Sequence, residues 1–162
     1  MRSVCTVVFV GIDPGQSGGI AVINNDIIDV YPYTSAKLIE VCKCLVDNNY
    51  NVLIAVEKVH AMPKQGVSSM FNFGMGFGKI LGILEALNLS YELVTPQTWK
   101  KYVGVTHDKK TSIRKAQYLF PEVSLLPTAR CRVPNDGMAE ALLIAYYIKS
   151  IHQDKSIFEG AY

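Results

Sequence analysis

The fold is set by residues 4–33, VCTVVFVGIDPGQSGGIAVINNDIIDVYPY. The stretch opens with a nearly continuous apolar run, residues 4–12, which is typical of a strand buried on both faces of a sheet. Two more strand-like runs, residues 18–23 and 27–33, are joined by Asn-Asn-Asp, residue types that tolerate the positive φ angles of tight hairpin turns. These features predict three antiparallel strands in a meander.

The chain beyond this meander alternates between helical and strand patterns. Apolar residues at helical spacing follow Ser35, the expected N-cap, and a second buried strand run occupies residues 52–56. A helical crossover allows that strand to lie parallel to the first one. The remaining predicted elements are a long helix at 68–87, a strand at 91–94, a short helix after Pro96, and helices at 108–119 and 135–151.

This order predicts an α/β fold in which helices flank a mixed five-stranded sheet, an antiparallel three-strand meander plus two parallel strands. No internal repeat or Ser/Pro-rich linker interrupts the sequence, so residues 1–162 are expected to form a single domain. The composition, 49% hydrophobic and 19% charged, is that of a folded globule. The run at 4–12 is too short to span a bilayer, and no signal-peptide cleavage site follows it. We therefore expect a cytoplasmic protein that does not enter a membrane.

Four carboxylates occupy positions typical of catalytic groups. Asp13 follows the first predicted strand and Glu57 ends the fourth, so both emerge at the same carboxyl edge of the sheet if those strands are parallel neighbours. Asp136 and Glu140 share one face of the last helix at i and i+4. Each acid alone has an ordinary structural explanation, such as a turn or a helix start. Together they suggest a site for hard cations, Mg²⁺ or Mn²⁺, because no His or Cys cluster accompanies them.

A basic segment precedes the last helix. Residues 95–135 carry eight Lys or Arg side chains against two Asp or Glu, although the whole chain has a net charge of only +2. This excess suggests a surface for phosphates, with a solvated helix face as the alternative. Trp99 stands in the same segment, either as a base-stacking residue or as part of the core. The candidate DNA-binding cations are Lys100, Lys101, Lys109, Lys110, Arg114 and Lys115.

Glycines recur every four residues in the long predicted helix, at Gly74, Gly78 and Gly82. A glycine within a helix costs about 1 kcal/mol relative to alanine, so this stripe suggests a close backbone approach. The approach is either to the sheet beneath the helix or to the same helix of a second subunit. The sequence does not separate these two alternatives.

Four short motifs contain or flank the acids and the basic segment: GIDPG at residues 11–15, AVEKV at 55–59, TPQTWKK at 95–101 and DGMAEAL at 136–142. Together they resemble the motifs of one nuclease family, the RuvC-like Holliday junction resolvases. Their order and spacing are similar to those of the family, and most of all to its phage-encoded members, which would act in the host cytoplasm. The resemblance implies a ribonuclease H-like fold and Mg²⁺-dependent cleavage of DNA phosphodiesters. It also implies a homodimer that acts on four-way junctions.

Carried over residue by residue, the resemblance assigns metal binding and catalysis to Asp13, Glu57, Asp136 and Glu140. Two metal ions held by carboxylates stabilise both the attacking and the leaving oxygen of a phosphodiester, and Mn²⁺ is expected to replace Mg²⁺. In bacterial members the last helix has two aspartates three residues apart, whereas the Asp and Glu of this chain are four apart. His60 stands where bacterial members have phenylalanine, which suggests DNA stacking there, with a solvated loop histidine as the alternative.

Three other functions compete with this hypothesis. The turn at residues 13–18 is similar to the phosphate loop of sugar kinases and actin, but those proteins clamp ATP between two such domains and this chain has length for one. We therefore expect no nucleotide cofactor. A non-catalytic junction-binding module and an RNA-processing nuclease of the same fold are the remaining alternatives.

Overall fold

The computed structural model describes residues 6–58 and 66–159, with side chains through residue 153. Its sheet has the strand order β3-β2-β1-β4-β5. The β1–β2 and β2–β3 pairs are antiparallel, and the β1–β4 and β4–β5 pairs are parallel, so the predicted α/β fold and mixed five-stranded sheet are confirmed. The strands are β1 (Val7–Asp13), β2 (Gly19–Asn24), β3 (Ile27–Pro32), β4 (Asn51–Glu57) and β5 (Tyr91–Val94).

Five helices connect and cover the strands within the described residues: α1 (Ser35–Asp47), α2 (Val67–Ala86), α3 (Pro96–Val103), α4 (Lys109–Leu119) and α5 (Asp136–Glu159). The predicted helix starts are close, but the N-cap of α1 is Thr34 and not Ser35, because the Thr34 side chain accepts the backbone N–H of Lys37. The last helix continues eight residues beyond the predicted end at residue 151, since no glycine or proline stops it before residue 160.

Helices cover both faces of the sheet, and alternate residues of the strands contact different helices. On β1, Val8, Val10 and Ile12 pack in one core cluster with residues of α1 and α2. Phe9 packs in the other cluster with residues of α3, α4 and α5. Successive side chains of a strand point to opposite faces, so the odd-numbered residues of β1 lie on the α5 side.

The same alternation orients the two predicted strand-end acids. Ile12 of β1 pairs with Val56 of the parallel strand β4. Both of these residues belong to the core under α1 and α2, so Asp13 and Glu57, one position further along each strand, project to the side of α5. The sheet therefore presents two carboxylates side by side to the helix that carries Asp136 and Glu140.

Helix α2 combines a packed face with an open one. Ile80 and Leu84 are fully buried against the sheet, whereas Val67 and Phe71 remain 82% and 67% exposed. By length and mean hydropathy α2 could also cross a membrane, whereas the sequence-based expectation of no membrane segment rests on residues 4–12. Its buried residues, Ile80 and Leu84, are part of the core under the sheet.

Candidate metal centre

Three of the four predicted acids meet at the carboxyl edge of the sheet. Asp13, Glu57 and Glu140 each offer one oxygen to a group in which all of these atoms lie within 4.8 Å of one another. Asp13 and Glu57 are partly exposed, and Glu140 is only 7% exposed. Oxygen ligands at this separation could hold a hard divalent cation.

The start of α5 is fixed against the turn that follows β1. The Asn135 side chain accepts the backbone N–H of Met138 at 2.7 Å and so caps the first turn of the helix. A Cβ on Gly137 would lie 1.9 Å from the carbonyl oxygen of Ser17, which means that only glycine permits this contact. Close packing at this point places Glu140, one turn further along α5, beside the two strand-end acids.

Donors from α3 and α4 hold two of the three carboxylates. The indole N–H of Trp99 donates to Oε2 of Glu57 at 2.7 Å. Oε1 of Glu140 accepts from the ammonium group of Lys100 at 2.5 Å and from the hydroxyl of Ser112 at 3.0 Å. Ser112 is fully buried and was not among the residues predicted from the sequence.

The fourth predicted acid, Asp136, lies next to this group and not within it. Its carboxylate forms an ion pair with Lys109 at the start of α4, and this hydrogen bond raises the pKa of Lys109. The charge of Asp136 nevertheless contributes to raising the pKa of Asp13, so the two acids are electrostatic neighbours. The acid triad is therefore Asp13, Glu57 and Glu140, with Asp136 at its border.

The three carboxylates of the triad are not fully compensated by positive charge from the neighbouring described residues. Burial raises the pKa of Asp13 well above its ordinary value, and the charges of Glu57 and Glu140 raise it further. Burial also raises the pKa of Glu57, against the hydrogen bond from Trp99, which lowers it. Lys100 is the one ammonium bonded to the triad in the described structure. Desolvated carboxylates with this excess charge fit a bound cation, because a cation would restore the balance.

The raised pKa values predict how stability depends on pH. A carboxyl whose pKa is higher in the folded than in the unfolded protein stabilises the fold below its ordinary pKa, and that contribution is lost as the pH rises through the raised value. The melting temperature of the metal-free protein should therefore fall across this interval, and Asp13→Asn should reduce the fall. Melting curves over a pH series measure both effects.

A matched control is Asp47→Asn, which removes an exposed acid at the end of α1. This variant should retain the pH dependence of the parent protein. An Asp13→Asn protein whose melting temperature follows pH as steeply as the parent's would show that Asp13 is not the group responsible.

The predicted DNA-contacting residues fall into buried and exposed groups in the structure. Trp99 is completely buried, so its ring has no face open to a base and it belongs to the core. Lys100 is only 9% exposed, and its ammonium group forms an ion pair with Glu140. It is therefore not a surface cation that could bind DNA, contrary to the prediction from the sequence. His60 lies outside the described residues.

The remaining predicted cations stay at the surface. Lys101, Lys110 and Arg114 are exposed, and Lys109 keeps two thirds of its side chain exposed beside Asp136. Lys115 is partly buried, with its ammonium group 6.0 Å from the centre of the Tyr118 ring. The exposed members of α3 and α4 are therefore available for a polyanion, and their role in DNA binding stays a prediction.

Comparison with known proteins relates this geometry to one fold. Neither a protein-family model nor a curated protein sequence matches the chain. Among solved structures, RuvC from Thermus thermophilus in complex with a Holliday junction substrate aligns with a TM-score of 0.58 and 14% identity, covering 91% of this chain and 95% of that one. This protein has the RuvC fold.

Two other solved structures agree with that assignment. A second Thermus thermophilus RuvC structure aligns with a TM-score of 0.55 and 15% identity over 90% of this chain and 96% of its own. The yeast mitochondrial Holliday junction resolvase Ydc2 aligns with a TM-score of 0.53 and 14% identity over 94% of this chain and 84% of its own. The predicted resemblance to RuvC-like resolvases is thus confirmed at the level of the fold.

Proposed function

We propose that this protein is a metal-dependent endodeoxyribonuclease that nicks four-way DNA junctions. The observation that carries the proposal is the acid triad, Asp13, Glu57 and Glu140, assembled at the carboxyl edge of a sheet with the RuvC fold. Two of the similar solved structures are described as Holliday junction resolvases or as a complex with a junction substrate. The sequence motifs at the same acids support the same conclusion.

In this proposal Asp13, Glu57 and Glu140 would hold divalent metal, Mg²⁺ or Mn²⁺, through their carboxylates. Bound metal ions would activate a water and stabilise the leaving oxygen of the phosphodiester. Asp136 lies beside the triad in an ion pair with Lys109 and would become a fourth carboxylate ligand if that pair opened. Lys109 would then be free to contact the phosphate, because its side chain is already two thirds exposed.

The exposed cations of α3 and α4 are the proposed DNA-binding surface. Lys110 and Arg114 stand one helical turn apart, and both are exposed. They lie on α4, the helix from which Ser112 donates to Glu140, so a phosphate bound to them would lie across this helix from the acids. This arrangement predicts binding that depends on backbone charge and little on base sequence.

The binding surface gives a quantitative salt prediction. Junction affinity should fall steeply with salt, and replacing both Lys110 and Arg114 by alanine should reduce the slope of log K against log salt by about one unit per lost phosphate contact. Fluorescence anisotropy with a labelled junction at several salt concentrations measures the slope. Lys43→Ala on α1 is the control and should leave it unchanged; an unchanged slope in the double variant would assign the two cations to a solvated face.

We also propose a homodimer formed through the open face of α2. Among the described residues, a Cβ added at Gly74, Gly78 or Gly82 would meet nothing within 4 Å, which argues against an approach of these glycines to the sheet. Exposed Phe71 and Met75 lie on the same side of the helix and supply apolar area. A two-fold dimer would present two active sites to a two-fold junction.

Substrate choice tests the proposal against its alternatives. Purified protein is incubated with Mg²⁺ and with labelled four-way junction, duplex DNA, single-stranded DNA and structured RNA in parallel. Cleavage of the junction in preference to the other three supports the proposal. Preferential cleavage of RNA would favour the RNA-processing function, and tight junction binding without any cleavage would favour the non-catalytic module.

A further inference from the structure

We propose that Trp99 and Ser112 are positioning residues that hold Glu57 and Glu140 in the orientation in which these carboxylates take up a divalent metal ion. The indole N–H of Trp99 is 2.7 Å from Oε2 of Glu57, and the Ser112 hydroxyl is 3.0 Å from Oε1 of Glu140. The inference rests on the proposed metal site and adds two residues that the metal itself would not touch.

Both donors are fixed by the core. Trp99 and Ser112 are fully buried, and Trp99 packs in the cluster that also contains Ala139 and Leu143 of α5. A donor that cannot move orients the acceptor bonded to it, whereas an unbonded glutamate side chain would lose rotamer freedom on metal binding. The two hydrogen bonds therefore restrict these glutamate side chains when the protein folds, so that less rotamer entropy is lost when metal binds.

Each hydrogen bond uses one oxygen of its carboxylate. Trp99 engages Oε2 of Glu57, and Ser112 engages Oε1 of Glu140. A carboxylate can accept from a donor and coordinate a cation at the same time, because its two oxygens carry about four lone-pair sites. The bonds can therefore persist when metal is present.

The charge of the donors distinguishes them from Lys100. The ammonium group of Lys100 also contacts Oε1 of Glu140, at 2.5 Å, and so compensates the carboxylate charge. A metal ion in the triad would repel that ammonium group but would not repel the neutral indole and hydroxyl donors. Trp99 and Ser112 are thus suited to orienting the ligands both before and after metal enters.

Metal affinity tests this assignment without reference to cleavage. Binding of Mn²⁺ is measured from the paramagnetic resonance signal of the free ion, for the full chain and for Trp99→Phe and Ser112→Ala. Loss of an outer hydrogen bond to a ligand typically weakens metal binding by about tenfold to a hundredfold, and we expect that range for each variant. Because the chain has one tryptophan, a tryptophan analogue with sulfur in place of the indole N–H replaces Trp99 alone and preserves its shape if Trp99→Phe fails to fold.

Two control variants separate positioning from a general loss of stability. Val103→Ala removes buried volume from α3, and Ser150→Ala removes a hydroxyl that donates to the backbone oxygen of Tyr146. Val103→Ala should lower the melting temperature, and both variants should leave the Mn²⁺ affinity unchanged. An unchanged Mn²⁺ affinity after loss of the Trp99 or Ser112 donor would overturn the assignment of that residue, whereas a parent protein that binds no Mn²⁺ would overturn the metal site itself.

Discussion

Asp13→Asn is expected to abolish junction cleavage and at the same time to raise the melting temperature of the metal-free protein. Loss of one ligand should reduce the cleavage rate by a factor on the order of 10³, because charge in the transition state is no longer stabilised. The stability should rise because burial and the neighbouring acids disfavour the charged form of Asp13. Nicking rates on a labelled junction and melting curves in a chelator measure the two effects.

Variants of the other three acids should also lose cleavage activity, while they continue to bind the junction. Glu57→Gln, Glu140→Gln and Asp136→Asn each remove the charge of a proposed ligand and so reduce repulsion towards phosphate. Glu92→Gln, an exposed carboxylate on β5 outside the triad, is the matched control and should cleave at the parent rate. A triad variant that cleaves as fast as the control would remove that residue from the site.

Gly78→Leu is expected to convert the proposed dimer into folded monomers and to uncouple the two nicks of a junction. The Cβ of the new side chain would meet no described atom of its own subunit within 4 Å, but the side chain would block the approach of a second helix. Within the helix, leucine is favoured over glycine by up to about 1 kcal/mol, so the subunit should keep its fold. Light scattering measures the mass, and circular dichroism measures the retained helix content.

Lys43→Leu is a control for this variant, since it adds the same side chain to the exposed surface of α1. It should remain dimeric. A parent protein that is monomeric at micromolar concentration, both free and bound to a junction, would contradict the dimer. A Gly78→Leu protein that stays dimeric would place the interface elsewhere, and one that unfolds would show that the stripe packs within the subunit.

The strand pattern was sufficient to predict most of the sheet and the meeting of Asp13 with Glu57. Both inferences depend on short-range rules, the alternation of side chains and the common edge of parallel strands. The partners of the acids were not predicted, because Trp99 and Glu57 are 42 residues apart and meet only through packing of α3. Lys100 was assigned to the surface with Lys101, although adjacent helical residues point about 100° apart.

Glycines stand at two kinds of position in this fold. Gly11 and Gly137 allow α5 to approach the sheet, since a Cβ at either position would lie within 2.2 Å of a backbone oxygen. At Gly74, Gly78 and Gly82 of α2, by contrast, an added Cβ would meet no described atom within 4 Å, and their approach to a second subunit stays a prediction. The same residue type marks a close contact in one case and an uncovered surface in the other, and only the placement of the neighbouring elements distinguishes them.

The metal dependence and position of the nicks on a four-way junction provide the sharpest test of the proposed nuclease. A junction labelled on each strand in turn is incubated with the protein in Mg²⁺, in Mn²⁺ and in chelator, and the products are mapped on a denaturing gel. We expect nicks at symmetrical positions in two opposing strands with either metal, and none in chelator. Binding of the junction without nicks in either metal, or cleavage that persists in chelator, would contradict a metal-dependent resolvase built on Asp13, Glu57 and Glu140.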